Sequence, residues 1–201
     1  MNILTNALPQ TVNIGGFEVK INTDFKTSIM FEELLNEYDL TDEGNQIKVW
    51  EKAIKLYYPI EIPKKLKIEA VNRLIWFYRG DKEIENVKEN KPSKNDIYSY
   101  SYDAEKIYSA FKADYNIDLN IEELHWWKFK ALFWSLKEDN EIKKIMSIRA
   151  LDTSNLSKEQ QEHYKKLKKI YAIPRSKKEI KHNKNLATIL KRGGTLSELK
   201  E

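Results

Sequence analysis

Hydrophobic and polar residues alternate with two different periods along the chain. From residue 11 to residue 21, apolar and polar side chains alternate on either side of a Gly-Gly pair. This pattern predicts a β-hairpin with a two-residue loop. This register forms two apolar cross-strand pairs, Ile14 with Phe17 and Val12 with Val19. An isolated hairpin is only marginally stable in water. We therefore expect it to pack on helices or to join a sheet from another subunit.

Beyond the hairpin, apolar residues recur at intervals of three or four, which predicts α-helices. Seven segments show this period, at 22–38, 47–57, 66–78, 103–115, 120–136, 142–149 and 157–171. Capping signals mark several ends: Gly80 follows the third segment, Asn120 with Glu123 begins the fifth, and Ser157 with Gln160 begins the last. Tyrosines alternating with serines at 98–102 predict a short extended piece before the fourth helix.

The predicted fold class is mainly α, a single helical bundle of about seven helices with an N-terminal two-stranded β-hairpin. One domain is expected to span residues 1–174. A charged loop at 81–97 interrupts it, because this stretch holds charged and amide side chains and a proline. Residues 175–201 form a basic tail with few apolar groups, for which only weak structure is expected.

One segment differs from an ordinary amphipathic helix because it carries two apolar stripes. Residues 124–136 hold three of the five tryptophans and two of the seven phenylalanines. At about 100° per residue, the apolar side chains fall on nearly opposite sides. One stripe contains Leu124, Trp127, Ala131 and Trp134, and the other contains Trp126, Phe129, Phe133 and Leu136. We expect both to be covered, either in a central helix of the bundle or with one stripe against a partner.

Charge is distributed unevenly, and this asymmetry widens the choice of partners. The 35 basic and 31 acidic residues give a net charge of +4. Residues 158–192 contain twelve basic and three acidic residues, a net charge of +9, so the remainder carries −5. The basic region is suited to nucleic acid, to an acidic partner or to the acidic part of the chain itself.

Catalytic chemistry finds little support in the sequence. Cysteine is absent, which excludes thiol chemistry and cysteine-type metal sites. The three histidines stand apart without metal-ligand spacing, and His125, placed on a polar strip of its helix, is expected to be structural. No glycine-rich phosphate loop is present. We expect no catalytic, cofactor-binding or metal-binding residues and a protein that is not an enzyme.

The sequence also favours an intracellular location. Its first residues lack the basic start and apolar run of a secretory signal, and no window approaches the length of a membrane-spanning helix.

A basic amphipathic helix keeps nucleic-acid binding open as an alternative. Residues 164–171 place tyrosine and leucine on one side and four lysines around the exposed arc. Such lysines can contact phosphates at low salt. No helix-turn-helix, zinc-finger or base-stacking signature accompanies them, so a docked helix with a basic outer face is the preferred interpretation.

Several motifs occur together in an order that is typical of one family. They are Leu-Tyr-Tyr-Pro at 56–59, Leu-Ile-Trp-Phe-Tyr-Arg-Gly at 74–80, Tyr-Asn-Ile-Asp-Leu at 115–119, Leu-His-Trp-Trp-Lys-Phe at 124–129 and Tyr-Ala-Ile-Pro at 171–174. The most specific is the block at 124–129, because consecutive tryptophans in a lysine-spaced aromatic helix are rare by chance. With these motifs the chain resembles the bacteriophage gene-product-fifteen family from residue 1 to about residue 174.

The resemblance implies a phage or prophage tail assembly protein, since genes of this family typically lie beside the tape-measure gene. The role it implies is that of a tail assembly chaperone, which binds the tape-measure protein during tail morphogenesis in the cytoplasm of the bacterial host. The tail-tube protein and further copies of the chain are additional partners. Two alternatives remain, a structural component of the virion tail or connector, and a nucleic-acid-binding accessory protein. Presence in the mature virion is left open.

The candidate partner-binding residues lie on the hairpin and on the basic helix. They are Ile14, Phe17, Val19, Lys165, Lys166, Lys168 and Lys169.

Overall fold

The computed structural model describes residues 2–40, 42–80 and 97–174. The basic tail predicted at 175–201 and the charged loop predicted at 81–97, apart from residue 97, therefore lie outside the described residues. Two compact units are present. Within the described ranges, the first comprises residues up to 80 together with 123–129, and the second comprises 97–122 and 130–174.

The first unit begins with the hairpin and continues with three helices. Its elements are β1 (Thr11–Ile14), β2 (Phe17–Lys20), α1 (Phe25–Glu37), α2 (Glu43–Tyr57), a 3-10 turn (Lys64–Leu66) and α3 (Lys67–Arg79). Carboxylates begin two of the helices: Asp24 accepts the Lys26 N–H, and Asp42 accepts the Asn45 N–H. Gly80 ends α3 in the left-handed conformation, at a φ of 77°.

Several aromatic rings meet in the core of the first unit, and the tyrosine hydroxyls there are hydrogen-bonded. The ring of Phe31 meets the rings of Tyr57 and Tyr78 edge-on, with centroids 5.5 and 5.2 Å away. Tyr57 Oη and Ser28 Oγ share a buried hydrogen bond of 2.8 Å. Tyr78 Oη donates to Glu32 Oε2 at 2.6 Å. These hydroxyls thus keep partners and avoid an uncompensated desolvation cost.

The remaining helices follow in the second half of the chain. They are α4 (Ala104–Tyr115), α5 (Trp126–Trp134), α6 (Glu141–Ala150) and α7 (Lys158–Ile170). Helix α5 contributes its first four residues to the first unit and its last five to the second. Helix α7 begins with a complete capping box, because the Ser157 side chain accepts the Gln160 N–H and the Gln160 side chain accepts the Ser157 N–H.

A buried ion pair organises the second unit. Arg149 of α6 donates from two guanidinium nitrogens to the carboxylate of Asp103, at 2.7 and 3.0 Å. The two side chains are 4% and 1% exposed. Arg149 also donates to the carbonyls of Ile97 and Tyr171, and Asp103 accepts the Ser99 N–H. This single side chain therefore connects α6 to the segments before α4 and after α7.

The mainly α class, the seven helices among the described residues and the N-terminal hairpin are confirmed. The strand register is as predicted, with Val12 opposite Val19 and Ile14 opposite Phe17. The Gly80 cap and the capping box at Ser157 are also confirmed. The single domain over 1–174 stays a prediction.

Helix α5 begins later than its sequence signal indicated. Asn120 and Glu123 do not cap it, because the backbone around His125 is bridged to the backbone around Asp24 and stays extended until Trp126. Residues 98–102 do not form an extended piece either. They lead through a turn into α4.

The two stripes of α5 differ in burial, so within the described chain only one of them is covered along its whole length, and coverage of the other by a partner stays a prediction. Trp126, Phe129, Phe133 and Leu136 are all buried. The opposite stripe is buried only at Trp127, whereas Trp134 is 49% exposed and Ala131 lies at the surface. The second stripe is thus covered at the N-terminal half of the helix alone.

Candidate partner-binding surfaces

The hairpin lies on a helix of its own unit and presents one aromatic side chain to solvent. Strand β1 packs on α3, and the N–H of Gly15 in the loop donates to Glu69 Oε2 at 3.0 Å. Ile14 and Val19 are buried, whereas Phe17 is 74% exposed. The predicted apolar face is therefore only partly internal. Of the three hairpin residues proposed for partner binding, Phe17 alone offers surface.

Both hairpin strands also keep an outer edge. The described sheet has only the two strands β1 and β2, so each has one side without a neighbouring strand. Outer edges can pair with an extended segment of another chain. The exposed Phe17 stands at the start of β2, beside one of these edges.

The basic helix α7 is more exposed than its sequence pattern indicated. None of its residues is fully buried, and Ile170 near its end is 68% exposed. Three of the four predicted lysines, Lys165, Lys166 and Lys169, are exposed. Lys168 is half-buried because its ammonium group donates to the Leu151 carbonyl at 2.6 Å. Lys168 therefore fastens the helix, and the other three remain available to a partner.

His125 serves as a structural residue at the start of α5, although it does not lie on a polar strip of that helix. Its Nδ1 atom accepts the Trp127 N–H at 3.1 Å, so Nε2 carries the proton and donates to the Pro9 carbonyl at 3.1 Å. The neighbouring backbone is paired as well, since Phe25 N–H donates to the Leu124 carbonyl. Helices α1 and α5 thus begin side by side.

An open groove of about 830 Å³ lies at this paired start of α1 and α5. Its apolar part comes from Ile21, Leu56, Tyr58 and Leu124. Four lysines also line it, Lys20 from β2, Lys26 from α1, Lys55 from α2 and Lys128 from α5. Sequence reasoning missed this groove. The lysines stand singly in four separate segments, and no local pattern indicates that they converge.

The described residues contain no group of three or more His, Cys, Asp or Glu side chains that could hold a metal ion. His163 is exposed and lies edge-on to Tyr164, while His182 falls outside the described ranges. Across the same ranges, no helix combines the length and the apolar character that crossing a bilayer requires.

A family model described as Bacteriophage Gp15 protein matches residues 4–173. The match covers all seven described helices and the hairpin, and it ends at the residue before Pro174. No curated protein and no solved structure matches the chain.

Proposed function

The chain belongs to the bacteriophage Gp15 family, and from this premise we propose that it is a tail assembly chaperone that binds the tape-measure protein. The observation that carries the proposal is the family match over residues 4–173. It makes the chain a phage protein. The finer role is assistance to tail morphogenesis in the cytoplasm of the host bacterium. We infer it from the typical position of the family's genes beside the tape-measure gene.

Exposed apolar and basic surface supports a role in binding another protein. A chaperone for a long helical partner needs apolar groups that can be covered reversibly, together with charge that adjusts the strength of binding. Phe17 supplies an exposed aromatic ring at the hairpin. Ile170 supplies an exposed apolar side chain at the end of α7, directly after Lys169 and one helical turn after Lys166. We propose these two surfaces as the contact sites, and we propose no catalytic activity.

Co-expression with the tape-measure protein of the same phage tests the proposal. We expect the chain to raise the recovery of soluble tape-measure protein and to co-purify with it. Recovery that is unchanged, with no complex on size-exclusion chromatography, would contradict the proposed role.

Single substitutions then test the hairpin surface. Phe17→Ser removes an exposed aromatic ring and should lower the recovery of the complex without changing the fold. Ile121→Ser is the matched control, because Ile121 is 80% exposed in a loop outside both proposed surfaces. Equal losses for the two variants would show that the hairpin has no special part in binding.

The two alternatives predict different outcomes. A structural tail component would be found in fixed proportion to the tail-tube protein in purified virions. A nucleic-acid-binding protein would shift nucleic acid at low salt and lose that binding when Lys165, Lys166 and Lys169 are neutralised.

A further inference from the structure

We propose that the groove at the paired start of α1 and α5 is a binding site for an acidic peptide segment that carries apolar side chains. The site does not depend on the partner proposed above. All its lining residues belong to the first unit, so the groove is built within one compact body.

The charge around the groove is the first argument. Lys20, Lys26, Lys55 and Lys128 line it together with two carboxylates, Asp24 and Glu123. All four lysines are exposed. This excess of cations favours a ligand with net negative charge.

Several lysines elsewhere in the described chain are already paired with carboxylates. Lys67 pairs with Glu51 at 2.9 Å, and Lys143 pairs with Glu138 at 3.1 Å. In the described ranges, by contrast, no ion pair joins Lys20, Lys55 or Lys128 to a carboxylate within the chain. Bringing carboxylates of a ligand to these three lysines therefore breaks no internal ion pair.

The shape and the apolar part of the groove favour a peptide over nucleic acid. Ile21 and Tyr58 are buried at its base, and Leu56 and Leu124 are half-buried. An extended peptide alternates its side chains, so it can direct apolar groups inward and carboxylates toward the rim. A phosphate backbone carries charge at every nucleotide and has no apolar side chains to cover this part of the groove. The hydroxyl of Tyr58 donates a hydrogen bond to the Ala70 carbonyl, so Tyr58 contributes its ring to the apolar part of the groove.

Fluorescence anisotropy with a labelled peptide that alternates Glu and Leu tests the site on the full chain. We expect saturable binding that weakens as salt is added, because the pairing is largely electrostatic. Peptides of the same length that alternate Gln with Leu, or Lys with Leu, should bind at least about tenfold more weakly. Equal binding of the three peptides would overturn the proposal.

Charge reversal in the groove provides the second arm. Lys55→Glu with Lys128→Glu should lower the affinity for the acidic peptide by at least about tenfold. The matched control is Lys112→Glu with Lys144→Glu, which makes the same change of charge at exposed lysines of the second unit. Circular dichroism checks that both variants are folded. An equal loss in the control would show that net charge alone attracts the peptide, which would overturn the site.

A labelled single-stranded oligonucleotide distinguishes the other class of ligand. We expect the Glu-Leu peptide to remain bound in its presence. The peptide proposal fails if the oligonucleotide displaces the peptide at a concentration below that of the peptide, and if Lys55→Glu with Lys128→Glu weakens oligonucleotide binding as well. The groove would then be a nucleic-acid site. None of these readouts uses the tape-measure protein, so failure here leaves the proposed function untouched.

Discussion

Tyrosine hydroxyl groups make the main buried hydrogen bonds of the first unit, whereas an arginine–aspartate ion pair makes them in the second. In the first unit, Tyr57 binds Ser28 and Tyr58 binds the Ala70 carbonyl. Burial raises the pKa of Tyr57 and of Tyr58, so both hydroxyls stay protonated. In the second unit, Arg149 and Asp103 are both charged groups taken out of water.

This difference sets how each unit tolerates the loss of a partner. A neutral hydroxyl left without its partner costs the desolvation of one polar group. A charge left without its partner inside a protein costs more, about 3–5 kcal/mol against about 1–3 kcal/mol. The second unit therefore depends strongly on one pair of residues, while the first spreads the same task over several weaker hydrogen bonds.

The largest effect is expected from Arg149→Met. The substitution leaves the Asp103 carboxylate buried and removes the donors to the Ile97 and Tyr171 carbonyls. We expect the free energy of unfolding to fall by about 3–5 kcal/mol. Urea denaturation followed by circular dichroism measures it. Lys165→Met is the control, because Lys165 forms only an exposed ion pair with Glu162 and its loss should have no measurable effect.

The double variant Arg149→Met with Asp103→Leu separates the pair from its surroundings. It should be more stable than the sum of the two single changes predicts, since no charge remains buried alone. Additive losses would show that Arg149 acts through the carbonyls it binds and not through Asp103.

A smaller effect is expected from Tyr57→Phe in the first unit. This change leaves the Ser28 hydroxyl buried without its tyrosine partner and should cost about 1–3 kcal/mol of unfolding free energy. Tryptophan fluorescence during urea denaturation reports it. Tyr102→Phe removes a hydroxyl from a half-exposed ring and is the matched control. A loss as large as that of Arg149→Met would erase the distinction between the two units.

The smallest effect is expected in the second unit from Asp114→Asn, which keeps the size and shape of a side chain that is only 5% exposed. Hydrogen bonds from the Lys137 N–H and from the Asn140 side chain, together with the Lys137 ammonium, lower the pKa of Asp114 below 3.8. A lowered pKa contributes stability that is present above pH 3.8 and is lost as the pH falls through the folded-state value.

Thermal unfolding of the wild type and of Asp114→Asn over a range of pH checks the direction in which this contribution to stability changes. We expect the wild type to be more stable near neutral pH and the difference to narrow as the pH falls below 3.8. A difference that widens in acid would contradict the assigned direction of the pKa shift.

Sequence reasoning identified the elements well where the signal was local. The Gly-Gly loop fixed the register of the hairpin, since a two-residue turn leaves only one pairing of the flanking strands. The spacing of Ile142, Ile145, Met146 and Arg149 predicts the helix at 142–149, and all four side chains are buried in α6. These predictions succeeded because spacing along one element decides which side chains share a face.

Prediction failed where distant segments decide the outcome. The start of α5 was assigned to Asn120 and Glu123, although pairing between His125 and Asp24 delays it to Trp126. The register puts Phe17 on the same face as Ile14, and only the folded chain shows that α3 covers β1 while Phe17 stays exposed. The groove lysines gave no signal, because residues distant in sequence meet only after folding.

By itself, then, the sequence determined the family, the mainly α class, the hairpin register and most helix positions, since each follows from local periodicity, capping or motif order. Only the tertiary structure decided which stripe of α5 is covered along its whole length, that Arg149 pairs with Asp103, and that four single lysines surround one groove. The physical reason is common to all three. Burial and electrostatic pairing depend on distances through space, and residues far apart in the chain acquire those distances only when the helices pack.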